Sequence, residues 1–263
     1  MCLLLIAYDI HPRYQLVLAA NRDEFYERPT APLGFWEDNP QILAGRDLRR
    51  GGTWLGIAHD GRLAAITNYR DPKTTRKNVP SRGLLVKEFL FRKQDAESYI
   101  EHIKEVGKKY NGFSILLGDK NGIWFYSNRG NAIQRLSPGI HGVSNHLLNT
   151  PWPKVKKGKS ALGAIVARQE EIDPEEILNV LSDKSYPPDG DLPETGIGLE
   201  KERMHSPLFV TSEDYGTRSS SVILMERSGK TIFLERRFLP EGFGRFREET
   251  ICFNFMLGDF GRI

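Results

Sequence analysis

Cysteine is scarce in this 263-residue chain, which has only Cys2 and Cys252. Two cysteines cannot build a disulfide framework, so the sequence suits a reducing compartment. Long apolar runs are also missing. The longest clean one is Leu3–Ala7, whereas a membrane-spanning helix needs about 20 apolar residues. No basic residue precedes His11, and Asp9 ends the run, which argues against a secretory signal. No lipidation signature is present. The expectation is a cytoplasmic protein without an integral membrane segment. A dominant charge is absent too: 37 Lys and Arg face 34 Asp and Glu, a net +3 that does not argue for a nucleic-acid partner. There is no G-x-S-x-G elbow and no dinucleotide-binding G-x-G-x-x-G. Gly158-Lys159-Ser160 has Pro153 where a phosphate loop needs its first glycine. The six histidines, His11, His59, His102, His141, His146 and His205, lack zinc-ligand spacing. The sequence therefore calls for no metal and no required cofactor.

What the chain does have is short β-rich runs between turn signals. Leu3–Tyr8 and Leu16–Ala20 flank a turn around Pro12. Thr53–Ala58 and Leu63–Thr67 flank Asp60-Gly61, while Phe113–Leu117 and Ile123–Tyr126 flank Asn121-Gly122, both strong hairpin signals. Ser219–Met225 and Thr231–Glu235 flank Ser228-Gly229, and Thr250–Phe255 reads as a last strand. Helical periodicity marks Gly83–Arg92 after Ser81 as N-cap, Asp95–Lys108, Ser160–Gln169 and Pro174–Leu181. Hairpins alternating with helix pairs predict an α+β fold with two antiparallel sheets face to face and helices outside them. No repeat or long linker appears, so residues 1–263 read as one domain.

Hairpin arithmetic brings polar residues together at strand ends. A first hairpin centred on Pro12 sets Cys2 opposite Arg22, within Asn21-Arg22-Asp23-Glu24. The Asp60-Gly61 turn sets Thr53 opposite Asn68. If Met1 is trimmed, Cys2 carries its own α-amine, a base that titrates near neutral pH. A thiol beside that base and Arg22 is an activated nucleophile, with Asp23 placed to hold the ammonium. Asn amides can donate to an oxyanion, as amide hydrolysis requires. The plainer reading is a small buried cysteine next to surface ion pairs. Cys252, inside Ile251-Cys252-Phe253, reads as core.

One ordered series carries a resemblance: Met1-Cys2-Leu3, Asn21-Arg22-Asp23-Glu24, Gly51-Gly52-Thr53-Trp54-Leu55-Gly56, Thr67-Asn68-Tyr69-Arg70, Ser81-Arg82-Gly83, Ser144-Asn145 with Thr150-Pro151-Trp152-Pro153-Lys154, and Thr217-Arg218-Ser219-Ser220-Ser221. It resembles the NRDE family, also called the transport and Golgi organisation protein 2 family, from residue 1 to about residue 235. That family is similar to N-terminal-nucleophile hydrolases of the cholylglycine hydrolase and penicillin acylase type. The resemblance implies a four-layer αββα sandwich. It also implies Cys2 as nucleophile and base, Arg22 and Asp23 as its orienters, Asn68 and Asn145 as oxyanion or amine-orienting groups, and Arg218 as the late arginine. The hydrolases place their early Arg three residues before the Asp, whereas Arg22 and Asp23 are adjacent here. Asn149 competes with Asn145 for the second amide.

Family members have been linked to haem trafficking and to lipid or acyl-CoA metabolism. The resemblance thus implies a pocket over an N-terminal Cys that binds or traffics haem or another amphipathic metabolite, such as an acyl-CoA. The alternative it implies is an N-terminal cysteine hydrolase of a non-peptide amide or thioester in a small molecule. The loop from Tyr69 to Arg82 is basic: Arg70, Arg76, Lys77 and Arg82 read either as a clamp for a ligand's acid groups or as a solvated stretch. His146 is the histidine nearest the expected site. Lys154, Lys156, Lys157 and Lys159 read as a solvated cluster.

Overall fold

The structure, a computed structural model, describes residues 3–130, 132–242 and 245–258. The chain begins with β1 (Leu3–Tyr8), β2 (Tyr14–Phe25), β3 (Thr30–Trp36), β4 (Asn39–Asp47), β5 (Leu55–Ala58) and β6 (Leu63–Asn68). Helices α1 (Gly83–Phe91) and α2 (Ala96–Val106) follow, then β7 (Phe113–Asp119), β8 (Gly122–Ser127), β9 (Ile133–Arg135) and β10 (Gly139–Val143). After α3 (Pro153–Ala167), α4 (Pro174–Leu181) and α5 (Leu199–Met204) come β11 (Tyr215–Glu226), β12 (Lys230–Gly242) and β13 (Arg245–Met256).

The strands form two antiparallel sheets, ordered β10-β1-β2-β11-β12-β13 and β3-β4-β5-β6-β7-β8-β9. Each strand sends alternate residues to opposite faces, and three apolar layers result. Leu4, Ile6, Leu18 and Ile223 of the first sheet meet Leu43, Ile57, Leu63 and Leu116 of the second between the sheets. Ile42, Ala64 and Ile115 face α1 and α2. Leu3, Leu5 and Val222 face α3 and α4. This is the four-layer αββα sandwich, with a helix pair on each outer face.

Local chemistry explains the helix ends. Asp95 and Asp173 cap α2 and α4 by accepting from Ser98 N and Glu175 N. Ser81 is not the cap of α1: Arg82 holds that place without a side-chain bond. α3 starts seven residues before the periodicity suggests, because Pro153 supplies a preset first turn. α5, only six residues, has no sequence signal long enough to register.

The first hairpin has the expected register, Leu3 opposite Asn21. The second differs by one residue, with Leu55 opposite Ala65. Its loop has three residues rather than two: Ala58 N donates to Arg62 O, and Gly61 takes the left-handed conformation at φ 87°. Thr53 therefore precedes β5, and Asn68 pairs with Phe113 on β7. Cys252 is exposed rather than core, because alternate residues of the edge strand β13 face solvent. Lys154 is not solvated either; it lies buried on the inner side of α3. Among the described residues, no helix is long and apolar enough to cross a membrane.

Candidate functional site

The Asn21–Glu24 segment lies inside β2, so its residues alternate between the two faces of the sheet. Asn21 and Asp23 point to the helix side with Leu3 and Ala19; Arg22 and Glu24 point between the sheets with Leu4 and Ala20. Asn21 is fully buried. Its Nδ2 donates to the carbonyls of Leu181 (2.9 Å) and Leu208 (2.8 Å), and its Oδ1 accepts from Ser220 Oγ at 2.6 Å. Asp23 Oδ1 accepts from Thr217 Oγ1 at 2.7 Å, while that hydroxyl accepts from Val210 N at 2.9 Å.

Arg22 has a different environment. It is 5% exposed, and its guanidinium lies 4.1 Å from the centroid of the Trp54 ring. The guanidinium makes no hydrogen bond among the described residues. Burial pushes its pKa down to about 10; Arg218 and Arg28 add to that, while Glu24 and Asp47 oppose it. Arg28 forms a two-pronged pair with Asp47 (2.7 and 3.3 Å). The register shift between Thr217 and Ser219 accommodates Arg218 on β11. Its Nη1 donates to the carbonyls of Phe25 (2.9 Å) and Arg28 (3.0 Å), and burial, aided by Arg237, lowers its pKa. Thr67 is buried, and its hydroxyl has no partner among the described residues.

Next to this end of the sandwich, where β6 stops and the loop after β10 begins, lies a cleft of about 270 Å³. Asn68, Tyr69, Arg70, Arg82, Asn145 and His205 are among its lining residues. Asn145 is held from both sides. Its Nδ2 donates to Asn68 O at 3.1 Å, its Oδ1 accepts from Arg70 Nη2 at 3.3 Å, and its own carbonyl accepts from Arg70 N at 2.7 Å. Arg70 also donates through Nη1 to the buried Glu202 (2.5 Å) and lies over Trp152. Arg82 donates to Gly112 O at 2.8 Å. The Asn68 amide is exposed and makes no side-chain hydrogen bond among the described residues.

The remaining sequence candidates fall elsewhere. Cys2 lies outside the described residues. Asn149 does not line the cleft: its Oδ1 accepts from Gly142 N and Lys159 Nζ. Arg76 donates to the carbonyls of Lys108 and Tyr110, and Lys77 is exposed; neither lines the cleft. His146 is enclosed rather than open to a ligand. Its Nε2 meets the Tyr69 hydroxyl at 2.6 Å and its Nδ1 meets Thr150 Oγ1 at 2.9 Å, and burial lowers its pKa. Among the described residues, no group of three or more His, Cys, Asp and Glu side chains is placed to hold a metal ion.

Glu202 and His205 enter from α5 and its C-terminal end, and sequence reading missed both. An acidic residue and a histidine in a polar stretch give no signal until the fold brings that stretch against Arg70. Trp54 was legible only as part of a motif, not as the ring beneath Arg22.

The transport and Golgi organisation 2 family matches residues 1–240. The bovine transport and Golgi organization protein 2 homolog is 38% identical over 281 residues, covering 98% of this chain and 99% of that protein. The human homolog is 34% identical, covering 96% and 99%. In three dimensions the chain is similar to a Caenorhabditis elegans N-acylethanolamine-hydrolyzing acid amidase ortholog, with TM-score 0.51 and 11% identity over 85% of this chain and 92% of that one. The fold is thus that of the N-terminal-nucleophile hydrolases, and the chain belongs to the transport and Golgi organisation 2 family.

Proposed function

We propose that this protein binds a small amphipathic metabolite, whose polar end enters the cleft beside Asn68. The observation that carries the reading is the exposed Asn68 amide, without a side-chain hydrogen bond among the described residues, in a cleft whose Asn145 and Arg82 are already tied to protein partners. At about 270 Å³ the cleft falls just below the roughly 300–1,000 Å³ of sites that enclose a drug-sized ligand. Haem would therefore enter by its propionate edge, and an acyl-CoA by one end. Arg70 and Arg82 face the cleft for an acid group, whereas Arg76 and Lys77 do not. Titrating haemin and an acyl-CoA against the tryptophan fluorescence of wild type and Asn68→Ala tests this. Saturable binding weakened about tenfold by the substitution is expected, and equal affinity for both proteins sinks the reading.

Arg22 favours a second reading, an N-terminal cysteine hydrolase of a non-peptide amide or thioester. A buried guanidinium with no hydrogen-bond acceptor among the described residues favours any anion that reaches it, a thiolate or an oxyanion included. Leu3 pairs with Asn21, the residue before Arg22. Intact mass comes first: a retained Met1 ends this mechanism, since the α-amine is then not on Cys2. If Met1 is absent, Cys2→Ala should abolish turnover of an amide or thioester panel while leaving binding at Asn68 intact.

A further inference from the structure

The basic loop supplies the cleft with Arg70 and Arg82, but a different part of the chain also lines it. His205, at the C-terminal end of α5, lines the cleft together with Arg70. The same two residues line an adjoining void of about 10 Å³, which Glu202 and Lys154 share. That is room for about one water. The His205 ring packs edge-on against Tyr215, at 5.3 Å and 88°, and neither ring nitrogen makes a hydrogen bond among the described residues. Three cations act on it from three elements: Arg70 after β6, Lys154 of α3 and Lys201 of α5. One carboxylate, Glu202, lines the void, and it is already engaged by Thr195 N (2.8 Å) and by Arg70. Arg70 has five N–H donors, of which the bonds to Glu202 and Asn145 use two.

We propose that Arg70 and His205 form a binding site for a small oxyanion, the carboxylate or phosphate of the ligand that the cleft admits. The site rests on the reading of the cleft as a ligand site and names the chemistry that anchors the ligand there. Arg70, which has donors beyond those two bonds, and the His205 imidazole line the same cleft and the same adjoining void. A cationic field without an uncommitted carboxylate in that void favours a negative guest. The same field, after burial, holds the His205 pKa down to about 4. An oxyanion beside the ring offsets the field, so His205 gains proton affinity as the anion binds. By linkage the anion then binds more tightly at lower pH.

The test follows the histidine ring signals of the full-length protein by ¹H–¹⁵N NMR, with His205 assigned from a His205→Gln variant. Inorganic phosphate, acetate and, as control, sodium chloride are added at equal ionic strength at pH 5 and pH 7. A saturable shift of the His205 signals is expected with phosphate, acetate or both, and the stronger of the two names the oxyanion class. Its proton affinity should rise about tenfold at saturation, and Arg70→Lys should weaken the response at least threefold. The wild-type titration stands alone if that variant does not fold. A His205 signal unmoved by both oxyanions, or moved equally by chloride, overturns the proposal. A haemin titration of the same sample separates the two readings. Haemin binding with a silent His205 removes the anion site alone; an oxyanion response without haemin or acyl-CoA binding removes the metabolite reading alone.

Discussion

Asn21 and Arg22 are neighbours in sequence and belong to opposite worlds. On the helix side of β2, Asn21 and Asp23 have their polar atoms matched to partners on α4, β11 and the loop around Leu208. On the inter-sheet side, the Arg22 guanidinium has an aromatic ring beneath it and no hydrogen bond among the described residues. One face of the motif is architecture, joining the first sheet to its helix layer. The other holds charge in a buried place where only a second charge or a ligand repays it. A motif read as one polar unit thus divides by strand parity into two functions, and stability and binding should divide with it.

The largest effect belongs to Asn21. Asn21→Ala removes three buried hydrogen bonds and leaves two carbonyls and the Ser220 hydroxyl unmatched, which at roughly 1 kcal/mol or more each costs about 3–5 kcal/mol. Urea unfolding at constant m-value measures it, and a loss below about 1 kcal/mol would erase the architectural face. Asp23 comes next. Thr217→Val removes one buried link to its carboxylate and should cost about 1–2 kcal/mol, with Asp23→Asn milder because the amide oxygen still accepts.

Arg22→Met is expected to change stability by no more than about 1 kcal/mol in either direction: relief of a buried charge offsets the lost contact with Trp54. Its effect should appear instead in ligand affinity or in thiol reactivity across pH. An Arg22→Met variant as unstable as Asn21→Ala would break the contrast between the faces.

The layers of this fold were legible because hairpin turns and helical stripes are local signals. The register of the first hairpin was legible for the same reason, since a short turn around Pro12 fixes Leu3 opposite Asn21. The second slipped by one residue because Asp60-Gly61 suits either a two-residue or a three-residue loop, and only Gly61 in its left-handed conformation decides. β13 was too short in the sequence reading because its first half, Arg245–Glu249, is charged and its pattern does not alternate. Arg22 lies outside the lining of the cleft, and the candidate cleft itself was legible at Asn68, Arg70, Arg82 and Asn145. Its other half was not, because Glu202 and His205 gain meaning only through a contact with Arg70 more than 130 residues away. Even within the basic loop, composition could not tell Arg82, which lines the cleft, from Arg76, which is tied to two carbonyls.

Glu235 gives the smallest effect and the finest test of the inter-sheet face. Its side chain is buried; Oε1 accepts from Leu33 N at 2.9 Å, and Ser219 also donates to it. Burial holds its carboxyl above the usual range, against the pull of Arg237 and Arg22. The folded state therefore keeps this proton after the unfolded chain, near pH 4.3, has released it. Between those two points the native state binds more protons, so stability falls as pH rises through the window and levels off above the folded pKa. Urea midpoints from pH 4 to 8 should show this descending limb, and Glu235→Gln, which keeps the acceptor without the charge, should flatten it. Arg22→Met should shift the limb to higher pH by removing one of the charges that draw the proton off. A limb that survives Glu235→Gln, or that ignores Arg22→Met, would mean that the charges between the sheets do not sense one another, and that the inner face of β2 is no more a functional surface than the outer one.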